Sequence, residues 1–577
     1  MDPRSAAHAL NQLAAYLELR GESRFRSRAY ERAARAIAAL DTDDLGELDR
    51  AGTLADVPGV GPAMLSVLRE LIATGESSYL ERVRADIPPG LLELLRVPGL
   101  ATQKIHLLHE ELGIDSVEAL EAAAIDGRLA KVKGFGPKTA QRLLRGIGFM
   151  RAVGHRSLHH RGVAQARALL ATVRAHPDVE RAELAGSVRR HGETIGDADI
   201  VAMCHDPRAV AASFANAPGV REVSGADSPS PRLTYVDGAR LDLHCVRSDE
   251  FAVALWRATG SDAHVREVTE RLAARGYILR GDSLLDANGD VVAVPEDVEL
   301  YALAGLAYVP PEMREAHGEI ARAEAGPFSP LLELSDIRGV IHCHSTWSDG
   351  KATIAEMARA ARERGWSYLG ITDHSQAAFY AGGLSPDRVL AQHAEIDALN
   401  AASPDFRILK GVECDILADG RLDYDEALLD RFDFVVASVH SRFSMDLVTM
   451  TDRVLRALDD PHLTVLGHPT GRLLLSRDAY AIDMHAVLEK AGAVGAAVEI
   501  NADPQRLDLD WRLIPEALAH GVTLEIGPDA HSTSGLDNVG FGVGIARKGG
   551  VEARQVLNAW PVENVLAFAR ARREATR

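Results

Sequence analysis

A repeated unit in residues 337–577 constrains the fold of this chain more than any other feature. In each repeat, a short apolar strand ends in a polar side chain that can bind a metal ion, and a helical stretch follows. These strand ends carry His342 and His344, Asp373 and His374, Glu413, His440, His468, Asn501, and Asp529 with His531. Strands that alternate with helices predict a parallel sheet, and polar groups at strand carboxyl ends are typical of the active-site face of a (β/α) barrel.

The side chains at these strand ends suit a metal centre. His342 and His344 are two positions apart, so on a strand both imidazoles lie on one face and Cys343 points away. A single histidine or aspartate at a strand end is more often a helix cap or a hydrogen-bonded polar group. Here five histidines join Asp349, Glu413 and the Asp529-Ala-His531 segment at one predicted rim, which favours a metal site.

These residues match the metal-binding motifs of the polymerase and histidinol phosphatase (PHP) domain, which this part of the chain resembles. The resemblance implies a distorted seven-stranded barrel that holds three metal ions. It also implies a division of the ligands: His342, His344, Glu413 and Asp529 for one ion, Glu413, His440 and His468 for the second, and Asp349, His374 and His531 for the third. Imidazoles and carboxylates together suit Mn²⁺, Zn²⁺ or Fe²⁺, and the sequence does not choose among them.

Length and cysteine content limit the remaining possibilities. A chain of 577 residues is too long for one hydrophobic core, so several domains are expected. Its four cysteines include no CxxC pair, which argues against a disulfide framework or a thiolate zinc site and favours a reducing cytoplasm. The sequence has no signal-peptide core and no apolar run long enough to span a bilayer. We therefore expect a soluble cytoplasmic protein without a membrane partner.

The net charge of −19 argues at first against a nucleic-acid partner, because phosphate contacts need cations. The charge is unevenly distributed, however. Residues 1–160 contain 21 Lys and Arg and 21 Asp and Glu, so the whole excess lies in residues 161–577. Bound metal ions would offset part of that excess, and the overall charge is therefore a poor guide to partners.

Three glycine turns in the first 150 residues point to DNA. Each precedes an apolar helical pattern, and together they contain Gly59, Gly61, Gly99, Gly134 and Gly136. They resemble the helix-hairpin-helix motif, in which glycines let the backbone approach a phosphate that the next helix's amides receive. One such turn is usually only a turn, but three in tandem, with Lys138 and other basic residues after the third, favour binding to the DNA backbone. In the second turn, Ala101 replaces the second glycine.

A second metal site is predicted between the glycine turns and the barrel. Asp197 and Asp199 are two positions apart on a predicted strand and face the same way. Asp242 lies in the second of two strands further along the chain. Three carboxylates on adjacent strands can hold two Mg²⁺ ions for in-line phosphoryl transfer. An Asp-x-Asp pair alone is commonly a solvated strand end, so the assignment depends on the neighbouring motifs.

Those motifs resemble the nucleotidyltransferase palm of family X DNA polymerases, the group of polymerase beta. Gly186, Ser187 and Arg190 belong to a Gly-Ser-x-Arg-Arg segment that would cradle a triphosphate, and Thr259, Gly260 and Ser261, with His264, look like the nucleotide-binding segment. The order of helix-hairpin-helix region, palm, thumb and PHP domain is that of bacterial family X polymerases. The resemblance covers essentially the whole chain, and it implies gapped or nicked duplex DNA and dNTPs as partners of a monomeric enzyme.

The chain departs from the family pattern in the nucleotide pocket. Arg257 and Ala258 stand where the family has an aromatic pair against the nucleotide sugar, and Val265 replaces an asparagine. The resemblance therefore leaves sugar selectivity and nucleotide affinity open. No lysine precedes Lys104, so the Schiff-base lyase activity of some relatives is not expected.

The predicted architecture is modular. All-α helix-hairpin-helix modules at the amino terminus precede an α+β nucleotidyltransferase palm and thumb and a carboxyl-terminal distorted (β/α)7 barrel. The expected boundaries are 1–85 for a first helical DNA-binding domain, 86–150 for a helical fingers-type domain, 151–245 for the palm, 246–320 for the thumb, 321–336 for a linker and 337–577 for the PHP domain.

Four functions remain open on the sequence alone. The favoured one is a DNA repair enzyme that fills gaps with the palm and trims 3′ ends with the PHP domain. The second is mainly a PHP nuclease with a weak polymerase palm. The third is a small-molecule phosphatase, against which the duplex-binding motifs argue. The fourth is a DNA scaffold without catalysis, which would leave twelve predicted metal ligands idle.

Overall fold

A computed structural model describes residues 1–577 except positions 2, 23, 39, 41, 43, 76, 96, 98, 155, 236, 237 and 575–577. The chain divides into two compact units, Met1–Gly154 and His155–Arg577. No helix in the described part of the chain is long and apolar enough to cross a membrane.

The first unit is built from α-helices around two hydrophobic cores. The helices are α1 (Pro3–Leu19), α2 (Arg24–Ala38), α3 (Leu45–Arg50), α4 (Pro62–Thr74), α5 (Ser78–Ala85), α6 (Pro89–Leu94), α7 (Thr102–Leu112), α8 (Val117–Ile125) and α9 (Pro137–Val153). Residues between Ala6 and Val83 form the first core, with Leu10, Leu13 and Leu17 on one face of α1. The second core extends from Ile87 to Ile147 and includes Leu19.

The second unit begins with the predicted palm. Its elements are β1 (Ser157–Leu158), α10 (His159–Arg174), β2 (Val179–Leu184), α11 (Gly186–Arg189), β3 (Thr194–Ile195), β4 (Ala198–Cys204), α12 (Pro207–Ala215), β5 (Val220–Ser224), β6 (Arg232–Tyr235) and β7 (Arg240–Val246). The main sheet has the order β2-β4-β7-β6-β5, and its central pair, β4 and β7, is parallel. That pair brings the two segments that carry the predicted aspartates side by side.

The predicted thumb packs around a buried tryptophan, Trp256. Its elements are α13 (Phe251–Thr259), α14 (Asp262–Ala274), β8 (Ile278–Arg280), β9 (Ser283–Leu285), α15 (Asp297–Ala304) and α16 (Glu319–Ala325). The predicted boundary at residue 320 falls inside α16, whose Ile320 and Ala323 are buried in this core. Because its first residues complete a packed helix, the segment 321–336 starts within the thumb rather than as a free linker.

The last part of the chain alternates parallel strands with helices, as predicted. Its elements are β10 (Gly339–Val340), α17 (Ile354–Glu363), β11 (Tyr368–Ile371), α18 (Pro386–Ala402), β12 (Arg407–Lys410), β13 (Glu413–Asp415), α19 (Glu426–Leu429), β14 (Val436–Ser438), α20 (Leu447–Leu458), β15 (Val465–Leu466), α21 (Met484–Val494), β16 (Ala497–Glu499), α22 (Ile514–Ala519), β17 (Leu524–Glu525), α23 (Val539–Lys548) and α24 (Val562–Glu574). The strands form two parallel sheets, β10-β11-β12 and β13-β14-β15-β16-β17. Single parallel bridges link Cys343 to Ala530 and His374 to Glu413.

The predicted strand from Ile408 to Glu413 is divided into β12 and β13, and Gly411, which lies between them, packs against Phe434. The ring of Phe434 is buried against two glycines. A Cβ added to Gly411 would lie 2.3 Å from this ring, and a Cβ added to Gly370 would lie 2.7 Å from it. These glycines let the ring enter a cluster of apolar residues from the first six strand segments, the fourth of which supplies both Phe434 and Val436: Ile341, Tyr368, Leu409, Phe434, Val436, Val465 and Ala497. The cluster lies beneath the strand carboxyl ends, which leaves those ends free for polar side chains.

Candidate functional sites

Glu413 lies at the centre of the histidines that the sequence predicts as metal ligands. It begins β13 and is 1% exposed. Its Oε1 lies 2.9 Å from Nε2 of His468 and 3.1 Å from Nε2 of His440. Three further imidazole nitrogens lie 3.1 to 3.5 Å from its Oε2: Nδ1 of His374 and Nε2 of His342 and His344. One buried carboxylate thus contacts imidazoles from four different strand ends.

Among the described residues, the possible ligand atoms fall into three groups, in each of which all atoms lie within 4.8 Å of one another. The groups are His344, Asp349, His374 and His531; His342, His344 and Asp529; and His374, Glu413 and His440. The nine predicted residues therefore converge, but His344 and His374 each belong to two groups and His468 joins the cluster through Glu413. How the ligands divide among ions stays a prediction.

The chemistry of His344 fits a metal ligand. The side chain is fully buried, and its closest polar contacts among the described residues are carboxylates, with Nε2 3.3 Å from Oδ1 of Asp529 and 3.5 Å from Oε2 of Glu413. Burial, with the neighbouring imidazole of His374, lowers the pKa of His344 to about 3, so the ring is neutral at physiological pH. A neutral imidazole nitrogen that faces buried carboxylates is what a divalent cation requires.

Carboxylates behind the cluster orient its imidazoles. Glu499 is fully buried, with Oε1 2.5 Å from Nδ1 of His342, and Oε2 accepts a hydrogen bond from the backbone N–H of His468. Asp415 lies 2.7 Å from Nδ1 of His440. The two ring contacts, at His342 and His440, direct Nε2 of each imidazole toward Glu413, the arrangement that fixes metal-binding histidines. Sequence reasoning missed both roles.

The electrostatics of the cluster keep its carboxylates ionised. Burial alone would raise the pKa of Glu413, but the imidazoles of His440, His374 and His342 hold it well below its usual range. Burial is likewise outweighed at Asp529, whose pKa is held low mainly by His342. Asp529 also has a backbone φ of 49°, a strained conformation for a residue other than glycine. Such strain often marks functional positions.

The predicted palm aspartates form a second acidic site. Asp199 and Asp242 are direct neighbours on the parallel strands β4 and β7, and Asp197 immediately precedes β4 instead of lying within it. Burial, followed by the charges of Asp197 and Asp242, raises the pKa of Asp199 to about 7. A Cβ on Gly186 would lie 1.7 Å from Oδ2 of Asp199, so this position needs glycine. The clustered negative charge suits divalent cations.

In the segment predicted to bind a triphosphate, one side chain lacks a hydrogen-bond partner among the described residues and another already makes hydrogen bonds within the protein. The buried Oγ of Ser187 has no hydrogen-bond partner in the described residues. Arg190, by contrast, donates to the backbone oxygen of Thr259 at 2.7 Å and to Glu315 at 3.0 Å.

The Thr-Gly-Ser segment, residues 259–261, is held by burial and by a hydrogen bond to the following helix. Thr259 is fully buried, and Ser261 accepts a hydrogen bond from the N–H of His264 at the start of α14. His264 is itself fully buried between Glu319, at 2.6 Å, and the hydroxyl of Tyr301, at 2.8 Å. In the structure His264 is thus a core histidine that supports the segment.

A lysine from the PHP region reaches the predicted nucleotide pocket. Lys548, at the end of α23, is 4% exposed and donates to the backbone oxygens of Arg190 at 3.0 Å and of Glu312 at 3.3 Å. It also pairs with Glu315, the carboxylate that holds the Arg190 side chain. Palm, thumb and PHP region therefore meet in one charged network that sequence reasoning did not find.

The three glycine turns of the first unit share one geometry. Gly59, Gly99 and Gly134 have φ values of 90°, 80° and 92°, which favour glycine. Two residues later, Gly61, Ala101 and Gly136 stand immediately before α4, α7 and α9. In each turn a helix amino terminus thus follows the glycine directly, as a phosphate-binding turn requires.

Family models match four parts of the chain. They describe a helix-hairpin-helix domain at residues 1–77, a SAM-like helix-hairpin-helix tandem at 91–148, a DNA polymerase beta thumb at 254–315 and a PHP domain at 341–501.

Curated relatives fall into two groups. The DNA polymerase/3′-5′ exonuclease PolX of Bacillus subtilis strain 168 is 37% identical over 574 residues, which cover 98% of this chain and 99% of the relative. A probable phosphatase of Thermoanaerobacter sp. strain X514 is 30% identical over 235 residues, or 38% of this chain and 88% of the relative. A probable phosphatase of Syntrophotalea carbinolica is 27% identical over 242 residues, which cover 40% of this chain and 94% of the relative. Since the first match extends over both chains almost entirely, this chain belongs to the bacterial family X DNA polymerases that carry a carboxyl-terminal PHP domain.

Proposed function

We propose that this family X polymerase fills short gaps in duplex DNA with its palm and trims 3′ ends with its PHP domain, as a DNA repair enzyme. The two activities are those in the name of its full-length relative, DNA polymerase and 3′–5′ exonuclease. The observation that carries the nuclease assignment is the buried carboxylate of Glu413 among five imidazoles. The observation that carries the polymerase assignment is the Asp199–Asp242 pair on parallel strands.

In the PHP domain, we assign the strands to a distorted seven-stranded barrel whose carboxyl-terminal rim holds three divalent ions, Mn²⁺, Zn²⁺ or Fe²⁺. The bridge between Cys343 and Ala530, which joins the first strand region to the last, supports a closed barrel. The proposed ligands are His342, His344, Asp349, His374, Glu413, His440, His468, Asp529 and His531. When bound, such ions polarise a phosphodiester and supply hydroxide near neutral pH. Glu499 and Asp415 act as positioning residues that keep His342 and His440 directed at the ions.

In the palm, we assign Asp197, Asp199 and Asp242 as ligands for two Mg²⁺ ions. The buried Oγ of Ser187, in the first turn of α11, has no partner among the described residues and is the proposed donor to a triphosphate oxygen. Arg190 is the proposed cation for the same phosphates, and Thr259, Gly260 and Ser261 shape the pocket through their contacts with Arg190 and His264. Phosphate binding would have to compete with Glu315 for the Arg190 guanidinium.

In the first unit, we propose that the three glycine turns bind the phosphates of the DNA backbone. The proposed contact residues are Gly59, Gly61, Gly99, Gly134, Gly136 and Lys138. Gly61, Gly134 and Gly136 face open space, since a Cβ at any of them would meet no atom within 4 Å. That space leaves the amides of α4 and α9 accessible to a phosphate. Contacts of this kind carry no sequence information, as gap repair requires.

A second candidate function is a PHP nuclease with a weak polymerase. It is favoured by Arg190, whose guanidinium is held by Glu315 and Thr259, and by the missing aromatic pair at residues 257 and 258. The probable phosphatases match about 40% of this chain, so they bear on the chemistry of that part and leave the palm and the DNA-binding turns unexplained.

A gapped duplex separates these functions. With dNTPs and Mg²⁺, the purified protein should extend a primer across a one-nucleotide gap, and without dNTPs in Mn²⁺ it should shorten the same primer from its 3′ end. Shortening without extension would select the second candidate. Neither reaction, together with turnover of a small phosphate monoester, would overturn the repair assignment.

The sugar pocket gives a further expected result. Arg257 donates to the backbone oxygen of Gly281 at 2.6 Å and to Asp282 at 3.1 Å, so this side chain is tied to the β8–β9 turn. With no aromatic ring at 257 or 258, a ribose 2′-hydroxyl meets little steric opposition. We expect less than about tenfold preference for dCTP over CTP in single-nucleotide gap filling, or weak use of both. Strong selectivity for dCTP would show that another residue excludes ribose.

A further inference from the structure

Two adjacent aromatic side chains are exposed on a loop of the PHP domain. Phe379 is 84% exposed and Tyr380 is 62% exposed, while their neighbours Ala378 and Ala381 are buried. The two rings pack edge to face with centroids 5.9 Å apart. Buried small residues on either side of two exposed aromatics make a fixed turn that presents both rings to solvent. Exposed apolar clusters of this kind commonly mark a binding surface.

The loop lies beside the proposed metal centre. It follows His374 directly, and the N–H of Leu384 donates back to the backbone oxygen of His374 at 2.9 Å, which closes the loop at that ligand. The carboxyl-terminal end of the loop also lies against the residue before Asp349. A Cβ added to Gly382 would be 3.3 Å from the backbone oxygen of Ser348. Partial burial, with the charges of Asp415, Glu413 and Asp349, raises the pKa of Tyr380, so its phenol lies within the field of the cluster.

The loop is held in place by contacts at its base. The N–H of Ala377 donates to Asp423 at 2.7 Å, and the hydroxyl of Tyr424 donates to the backbone oxygen of Leu384 at 2.6 Å. Arg388 is exposed on α18 and donates to the backbone oxygen of Gly382 at 2.9 Å. A ligand that stacks on a loop already held in this way has little ordering entropy to overcome. Arg388 adds a positive charge at the end of the loop, which suits a phosphate backbone.

We propose that Phe379 and Tyr380 form a stacking platform for the terminal bases of an unpaired DNA 3′ end, whose last phosphodiester enters the metal centre. This inference rests on the proposed nuclease function. Aromatic rings stack on any base, so the platform binds single strands without sequence preference, as a trimming enzyme requires. The rings also explain specificity: a small phosphate ester has no base to offer, whereas an unpaired 3′ end offers one for every nucleotide removed.

The test compares two single strands in Mn²⁺. One is a 5′-labelled oligodeoxythymidylate, and the other is the same strand with a terminal 3′ residue that lacks its base. We expect the wild-type protein to shorten the first strand with a kcat/KM about tenfold higher than the second, the effect of one stacked base. The double variant Phe379→Ala/Tyr380→Ala should shorten both strands at the same rate, no faster than the wild type shortens the baseless end.

Two further variants make the result specific. Tyr380→Phe keeps the ring and should keep the tenfold preference, which excludes a role of the hydroxyl. Leu390→Ala removes an apolar side chain that is 41% exposed on α18, beyond the loop, and should behave as wild type. A double variant that retains the wild-type preference would overturn the platform while the nuclease assignment stands. A wild-type protein that shortens neither strand would overturn the nuclease assignment, and the platform with it.

Discussion

Replacing Glu413 with alanine should abolish 3′–5′ exonuclease activity, by roughly a thousandfold or more, while gap filling by the palm survives. The substitution removes a carboxylate that contacts imidazoles from four strand ends, and among the described residues no neighbour can replace both of its oxygens. Asp415, the nearest acidic side chain in sequence, is already paired with His440. The measurement is the rate of 3′ shortening of a labelled primer in Mn²⁺, together with metal analysis of the purified variant.

Metal content separates this expectation from a purely structural role of Glu413. If Glu413 only stabilised the fold, its loss would lower thermal stability and leave the bound metal and the shortening rate per folded molecule unchanged. Glu413 begins a strand, so a helix-capping role, which would be worth about 1 kcal/mol, does not apply. A full metal complement with wild-type shortening would contradict the cluster assignment. Glu413→Gln keeps the side-chain volume and should fail in the same way, because an amide holds cations less well than a carboxylate.

Sequence periodicity predicts the convergence of these side chains well because the relevant rule is local. Side chains two apart on a strand share a face, and the carboxyl ends of parallel strands meet at one rim, so His342, His344 and Glu413 converge once the strands pair. Glu499 was missed, although its signal was present. A carboxylate between Val498 and Ile500 in a buried strand must find a partner, and a histidine of the cluster is the available one.

Contacts between domains were beyond sequence reasoning. Lys548 and Glu315 are 233 positions apart, and their meeting depends on how α23 docks against the palm and thumb. No periodicity encodes that docking. The contacts of His264 were not predicted for a related reason. The family resemblance associates it with nucleotide, whereas its burial between Glu319 and Tyr301 follows from the packing of α14 against α15 and α16.

Replacing Asp199 with alanine should abolish gap filling, by roughly a thousandfold or more, and leave 3′ shortening intact. Asp199 and Asp242 are neighbours across β4 and β7, and the loss of one leaves an incomplete pair of cation sites. Glu413→Ala is the matched control, because each variant should lose the activity that the other keeps. Equal loss of both activities in either variant would contradict two separate sites.

The raised pKa of Asp199 predicts how the palm responds to pH. Since the pKa is about 7 in the folded protein and 3.8 is the ordinary value, the metal-free folded protein holds a proton that the unfolded chain has lost between those pH values. Stability of the metal-free protein should therefore fall as pH rises through this window, by at most about 4 kcal/mol from this group. Asp199→Ala removes the penalty, so the palm of the variant should unfold at a higher temperature than wild type at pH 8 without metal.

Protons also compete with Mg²⁺ for the Asp199 carboxylate, so wild-type gap filling at limiting Mg²⁺ should decline below about pH 7 and recover with excess Mg²⁺. Gap filling that stays constant from pH 8 to pH 6 at limiting Mg²⁺ would show that Asp199 is not the carboxylate that takes up the metal.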